Sequence, residues 1–66
     1  MTIRVNGEVI VLDQPCNVAD LLALRNHAKT PCAVEVNQQI VPKKRHAEHA
    51  LNDGDRVEIV TLVGGG

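Results

Sequence analysis

The sequence predicts an α+β domain: a mixed sheet of four to five strands with one main helix packed on one face. Three observations lead there. Asn6-Gly7 separates two short apolar runs, "TIRV" and "EVIVL". The stretch "VADLLALRNHA" repeats its apolar residues at helical spacing, and "RVEIVTLV" returns near the end to the two-residue alternation of a strand.

At 66 residues the chain holds one domain at most, close to the lower limit for folding without staples. Val, Ile and Leu are plentiful while Phe, Tyr and Trp are absent, so the core must be aliphatic. The same absence removes the aromatic platforms on which single-stranded nucleic acids stack. A net charge of -1 offers no electrostatic attraction to nucleic acid or anionic membrane. No basic segment followed by an apolar run opens the chain, and no apolar stretch reaches the length of a membrane span. The expectation is a cytoplasmic protein with Cys16 and Cys32 as free thiols.

In the first hairpin, Asn6 and Gly7 tolerate the positive φ values of a type I′ turn. A two-residue loop sets Val5 opposite Glu8 and Ile3 opposite Ile10. Ile3, Val5, Ile10 and Leu12 then form one face, with Thr2, Arg4, Val9 and Val11 on the other. Asn17 is the expected N-cap of the helix, and Asp20 three residues on completes a capping box. Val18, Leu21, Leu22, Arg25 and Ala28 share a helical face, and Pro31 stops the helix. "CAVEV" is a strand with Cys32, Val34 and Val36 inward. "NQQ" turns into a short "IVP" strand, which Pro42 confines to a sheet edge because it cannot donate a ladder bond. "KKRHAEHAL" reads as a helical turn or short helix, "NDGD" as a tight turn, and "RVEIVTLV" as the last strand. The connection through the helix suits a right-handed crossover to a parallel neighbour. This order is that of a β-grasp, or ubiquitin-like, roll, with the first and last strands side by side in mid-sheet. Residues 1–63 are assigned to it and residues 64–66 to a flexible glycine tail.

Little in the chain promises catalysis of its own. His46 and His49 stand three apart with Glu48 between them, which is not the spacing of a zinc-binding helix, and no fourth ligand is in view. All three histidines, His27 included, are expected at the surface, and no metal site is assigned. Cys16 lies at a helix start, a position that can lower a thiol pKa and would suit a persulfide acceptor. With no CxxC and no base beside it, a structural role is the simpler reading. Cys32 reads as a small core residue. Lys43, Lys44 and Arg45 form a basic cluster, most simply a solvated face. Phosphate-binding glycine loops and nucleophile–base constellations are absent from the sequence, so the chain itself binds no cofactor.

The chain ends in Gly64, Gly65 and Gly66, straight after a strand. Glycine lacks Cβ, passes a channel too narrow for other residues, and adopts any φ the channel demands. A carboxylate on glycine is also the least hindered carbonyl for a nucleophile. Fully extended, residues 63–66 reach roughly 13 Å, enough to enter another protein's active site while the globule stays outside. Gly66 is therefore the candidate reacting residue, and Gly64 and Gly65 serve threading. Val9, Val11, Val60 and Leu62 are expected on the sheet face away from the helix, on neighbouring strands, as a docking surface for partners.

"VNQQIVP", then a short polar turn and "NDGDRVEIVTLVGGG", closely resemble the sulfur carriers of thiamine biosynthesis, the ThiS family. The resemblance is strongest over Val36 to Pro42 and Asn52 to Gly66, and the length and pattern of the rest agree. It implies a carrier protein that is not an enzyme. A ubiquitin-activating-type adenylating enzyme (ThiF-like) would use ATP to convert the Gly66 carboxylate into an acyl-adenylate. Sulfur from a donor such as a cysteine desulfurase would then displace AMP. The resulting thiocarboxylate would deliver sulfur to thiazole synthase (ThiG-like). Three glycines in place of the family's usual two leave that chemistry intact. Three other classes fit the same tail: a sulfur carrier for molybdopterin or another pathway, a ubiquitin-like protein modifier, and a non-covalent binding module whose glycines are incidental.

Overall fold

The computed structural model describes residues 1–62; the tail assignments at Gly64, Gly65 and Gly66 lie outside the described residues. Strands β1 (Thr2–Val5) and β2 (Glu8–Val11) are followed by helix α1 (Val18–Leu24). Strands β3 (Cys32–Val36) and β4 (Gln39–Val41) come next, then a 3-10 turn at Lys43–Arg45, and strand β5 (Arg56–Thr61). The five strands form one sheet in the order β2-β1-β5-β3-β4.

Asn6 and Gly7 have φ values of 51° and 83°, the left-handed pair that a type I′ hairpin requires. The register is the one expected, with Val5 opposite Glu8 and Ile3 opposite Ile10. Asn37 and Gln38, at φ 52° and 69°, make a second tight turn between β3 and β4. β4 lies at an edge, as Pro42 requires.

The last strand sits between β1, to which it is parallel, and β3, to which it is antiparallel. The helical crossover therefore does not lead to a parallel neighbour. It joins β2 to β3, which run the same way but are kept apart by β1 and β5. Among the described residues the one parallel ladder is β1 with β5, because the last strand inserts between β1 and β3.

The helix is shorter than its apolar pattern implies. Periodicity continues to Ala28, but Asn26 takes a left-handed φ of 63° and ends the helix after Leu24. Its amide bonds Ala23 O at 3.1 Å, and the His27 amide bonds Leu22 O at 2.7 Å. These are the two bonds of a Schellman stop, with asparagine in the position glycine usually holds. The expected start is present in full. Asn17 Oδ1 accepts from the Asp20 amide at 2.7 Å, and Asp20 Oδ2 accepts from the Asn17 amide at 3.1 Å. The next amides are met from residues 46–49: Val18 N bonds His49 O and Ala19 N bonds His46 O, both at 3.0 Å.

Ile3, Val5, Val34, Val36, Val57 and Ile59 from the sheet meet Val18, Leu21 and Leu22 from the helix. Leu12, Cys16, Val41 and Leu51 close the rim of this aliphatic core.

Candidate functional site

Strand β5 is where the sheet meets the end of the chain, and both of its sides are tethered. Near its start, Arg4 and Val5 of β1 pair with Arg56 and Val57. β1 then turns away at Asn6, whose amide bonds Val57 O at 2.9 Å. The Asn6 side chain carries the ladder one step further. Its Oδ1 accepts from the Ile59 amide at 2.8 Å, and its Nδ2 donates to Ile59 O at 3.1 Å. A carboxamide thus stands in for the peptide group that β1 no longer supplies. On the other side, β3 follows β5 as far as Cys32 opposite Thr61, and the Leu62 amide still bonds Pro31 O at 2.8 Å. The chain is held by backbone bonds up to its last described residue.

The turn before β5 is equally determined. Asp55 is buried, and its Oδ2 accepts from the Asn52 amide at 2.8 Å. Its Oδ1 accepts from Asn37 Nδ2 at 3.0 Å, while Asn37 Oδ1 accepts from the Arg56 amide at 3.0 Å. Asn6 and Asn37, one beside each flank of β5, are functional-scaffold residues that the sequence marked only as turn formers. The positive φ of Asn6 and the turn at Asn37 were legible; their bonds to β5 depend on strand order.

The outer sheet face carries Val9, Val11, Val60 and Leu62, each more than half exposed, as expected. They do not lie on neighbouring strands: β1 separates β2 from β5. The registers also place them at different heights. Val9 is level with Arg4 and hence with Arg56, whereas Val60 is two rows further toward the C-terminus, beside Ala33. Exposed Ile40 lies across β3 beside Glu35, one row below Ala33. Val60, Leu62 and Ala33 thus lie at the chain exit, Ile40 sits one row back on edge strand β4, and Val9 with Val11 forms a separate patch at the opposite corner.

Cys16 is buried, and its Sγ bonds Asn17 O at 3.4 Å. Burial pushes its thiol pKa up, and the Asp20 carboxylate adds to the rise. The lowering that a helix start can produce is overridden, which fits the structural reading. Cys32 is half-buried against the core, with Sγ donating to Thr30 O at 3.1 Å. His46 corrects the expectation of three surface histidines. It is 8% exposed, and its Nε2 lies 3.0 Å from Val41 O, joining the 3-10 turn to edge strand β4. His27 and His49 are half-exposed. Among the described residues, no group of three or more His, Cys, Asp or Glu side chains is placed to hold a metal ion. No helix among them is long and apolar enough to cross a membrane.

A five-strand mixed sheet with one helix across a single face, and first and last strands paired in parallel, defines a β-grasp protein. The family model described as "ThiS family" matches residues 2–66. The sulfur carrier protein ThiS of Escherichia coli is 30% identical over 66 residues, covering all of both chains. A crystal structure of thiamine biosynthesis protein ThiS from Geobacter metallireducens superposes with a TM-score of 0.83 at 30% identity, again over all of both chains. A thiazole synthase of Paramagnetospirillum magneticum is 41% identical over 66 residues; this chain spans 20% of its length. The chain belongs to the ThiS family of sulfur carriers in thiamine biosynthesis.

Proposed function

We propose that the Gly66 carboxylate is the group that carries sulfur. A carboxylate is a poor electrophile, so it must first acquire a leaving group. An ATP-dependent activating enzyme supplies one: a carboxylate oxygen attacks the α-phosphorus of ATP, pyrophosphate leaves, and an acyl-adenylate forms. A sulfur nucleophile then attacks the acyl carbon, and AMP departs with the bonding electron pair. Sulfide yields the thiocarboxylate directly. Sulfur arriving as a protein persulfide yields an acyl disulfide, which a second thiol must reduce to release the thiocarboxylate. Thiazole synthase takes the sulfur onward. ATP belongs to the activating partner, and the carrier contributes position.

The observation that carries this reading is the tethering of β5 as far as Leu62. An arm anchored there lets the globule dock outside an active site while four more residues, about 13 Å when extended, lead inward. Gly64 and Gly65 leave that passage narrow. The exit patch around Val60 and Leu62 is the main docking contact, with Val9 and Val11 as an outlying one. The synthase as partner is supported by the Paramagnetospirillum magneticum relative, in which a carrier-like stretch resides in a chain named thiazole synthase.

Tandem mass spectrometry of the C-terminal peptide, from protein isolated from its own cells, tests the reading. A sulfur-for-oxygen mass shift localised to Gly66 is expected, absent when the activating enzyme is deleted. An unaltered carboxylate after incubation with ATP, activating enzyme and sulfur donor overturns it. Covalent ladders with lysine-bearing targets instead of a thiocarboxylate would make the chain a protein modifier.

A further inference from the structure

The two edges of the sheet differ. β4 spans three residues and runs into Pro42, and shortness and proline both blunt an edge against further pairing. β2, at the other edge, has neither proline nor lysine, and its Val9 and Val11 are exposed.

The β1 ladder decides which β2 groups face that open edge. Leu12 and Met1 exchange both backbone bonds, Leu12 N to Met1 O at 2.7 Å and Met1 N to Leu12 O at 2.6 Å. In an antiparallel ladder such bonded pairs alternate with unbonded ones. Ile10 with Ile3 and Glu8 with Val5 are therefore bonded pairs, while Val9 and Val11 turn their N–H and C=O groups away from β1. Among the described residues, no backbone or side-chain group outside β2 bonds them.

We propose that this edge pairs with the same edge of a second copy of the chain, joining two five-stranded sheets into one continuous sheet. A twofold axis through Ile10, perpendicular to the sheet, sets Val9 opposite Val11 of the other copy on both sides of the axis. Each such pair exchanges two backbone bonds, so every outward-facing group of both valines is satisfied. Moving the axis to Val9 or Val11 leaves a single valine–valine pair and sets the remaining valine against Gly7 or Asp13.

The side chains agree with the central register. On the outer face Val9 and Val11 of both copies meet as one apolar cluster. On the helix face Ile10, packed against the core, meets Ile10 of the other copy. Glu8 falls opposite Leu12 and Asp13 opposite Gly7, so no two like charges oppose each other, and Glu8 already has Arg25 at 3.2 Å. β5 lies beyond β1 from the shared edge and runs in opposite directions in the two copies, so both chain exits stay open. None of this depends on the carrier chemistry. A contact of one short strand per copy belongs with the weak interfaces, with a Kd on the order of 100 μM.

Analytical ultracentrifugation of the full chain from about 10 μM to about 2 mM, with amide hydrogen exchange by NMR at both extremes, is the test. Reversible dimers are expected, and the Val9 and Val11 amides should gain protection with concentration while Glu8 and Ile10, already bonded to β1, change little. Val11→Lys, which brings an ammonium beside Arg4 of the other copy, should weaken association at least about tenfold while keeping the wild-type far-UV circular dichroism spectrum. Mild oxidation reads the register. In Ile10→Cys the two introduced thiols face each other across the axis, with Cα atoms about 4.5 Å apart, and should form a disulfide. In Val9→Cys they stand roughly 8–9 Å apart and should not. Wild type, whose Cys16 and Cys32 lie off β2, is the control. A chain that stays monomeric to about 2 mM overturns the proposal. So do dimers that leave the Val9 and Val11 amides unprotected, or cross-links that form as readily from position 9 as from position 10. Protection of those amides by the thiazole synthase or the activating enzyme, with the free chain monomeric, would assign the edge to that partner and overturn it as well.

Discussion

Replacing Asn6 tests whether one carboxamide holds the strand that carries the tail. Asn6→Ala removes two hydrogen bonds to Ile59, at 2.8 and 3.1 Å, each worth about 1 kcal/mol net. It also places a Cβ-bearing residue with no local polar compensation at φ 51°, which costs about 1 kcal/mol more. The sum is about 3 kcal/mol. A chain of 66 residues has a total stability of roughly 3–10 kcal/mol, so the alanine variant falls near the unfolding threshold. Asn6→Gly keeps the left-handed backbone comfortable and removes only the side-chain bonds, for an expected loss of about 2 kcal/mol. At 4–8 °C per kcal/mol for a domain this small, the glycine variant should melt about 8–16 °C below wild type. Urea and thermal unfolding followed by far-UV circular dichroism is the assay, since no aromatic residue provides fluorescence. An Asn6→Gly variant within about 0.5 kcal/mol of wild type would refute the reasoning and reduce Asn6 to a turn residue.

Further outcomes bear on the docking surface and on Cys16. Val60→Asp combined with Leu62→Asp should weaken partner binding at least about tenfold, while Val9→Asp with Val11→Asp should change it about threefold or less, both folded as well as wild type; equal effects would show that docking spans the whole face. The Cys16 thiol, raised by burial and by the Asp20 carboxylate, should stay protonated and label slowly with iodoacetamide at neutral pH. Because its folded pKa is raised, its contribution to stability is complete below the ordinary thiol pKa and is lost as pH climbs through the folded value. Asp20→Asn should lower the thiol pKa by removing the smaller of the two causes. Labelling of wild type at neutral pH as fast as in urea-unfolded chain would contradict the burial argument.

Local rules carried well wherever the determining atoms are close in sequence. Asn6-Gly7 announced its turn, Asn17 and Asp20 their reciprocal cap, and Pro42 its place at an edge. The same rules overran the helix, because periodicity through Ala28 outweighed Asn26, a second-choice residue for the left-handed stop. His46 was misplaced for a related reason. Nothing in "KKRHAEHAL" shows that Val41 O lies within reach of a ring nitrogen; that contact exists only once β4 and the 3-10 turn are packed together.

The alternation of apolar residues determined, from sequence alone, which side chains share a face, since the period of a strand is two wherever it sits. Alternation does not say which strand lies beside which. That Val9 and Val60 are separated by β1, that Arg4 meets Arg56 and Glu35 meets Glu58, and that Asn6 completes the ladder of β5 were decided by tertiary structure. Each depends on the last strand entering between the first and the third, a pairing between residues about fifty positions apart that no local window contains. The expectation for Gly66 comes from the sequence and its resemblance; what surrounds the end of β5 belongs to the fold.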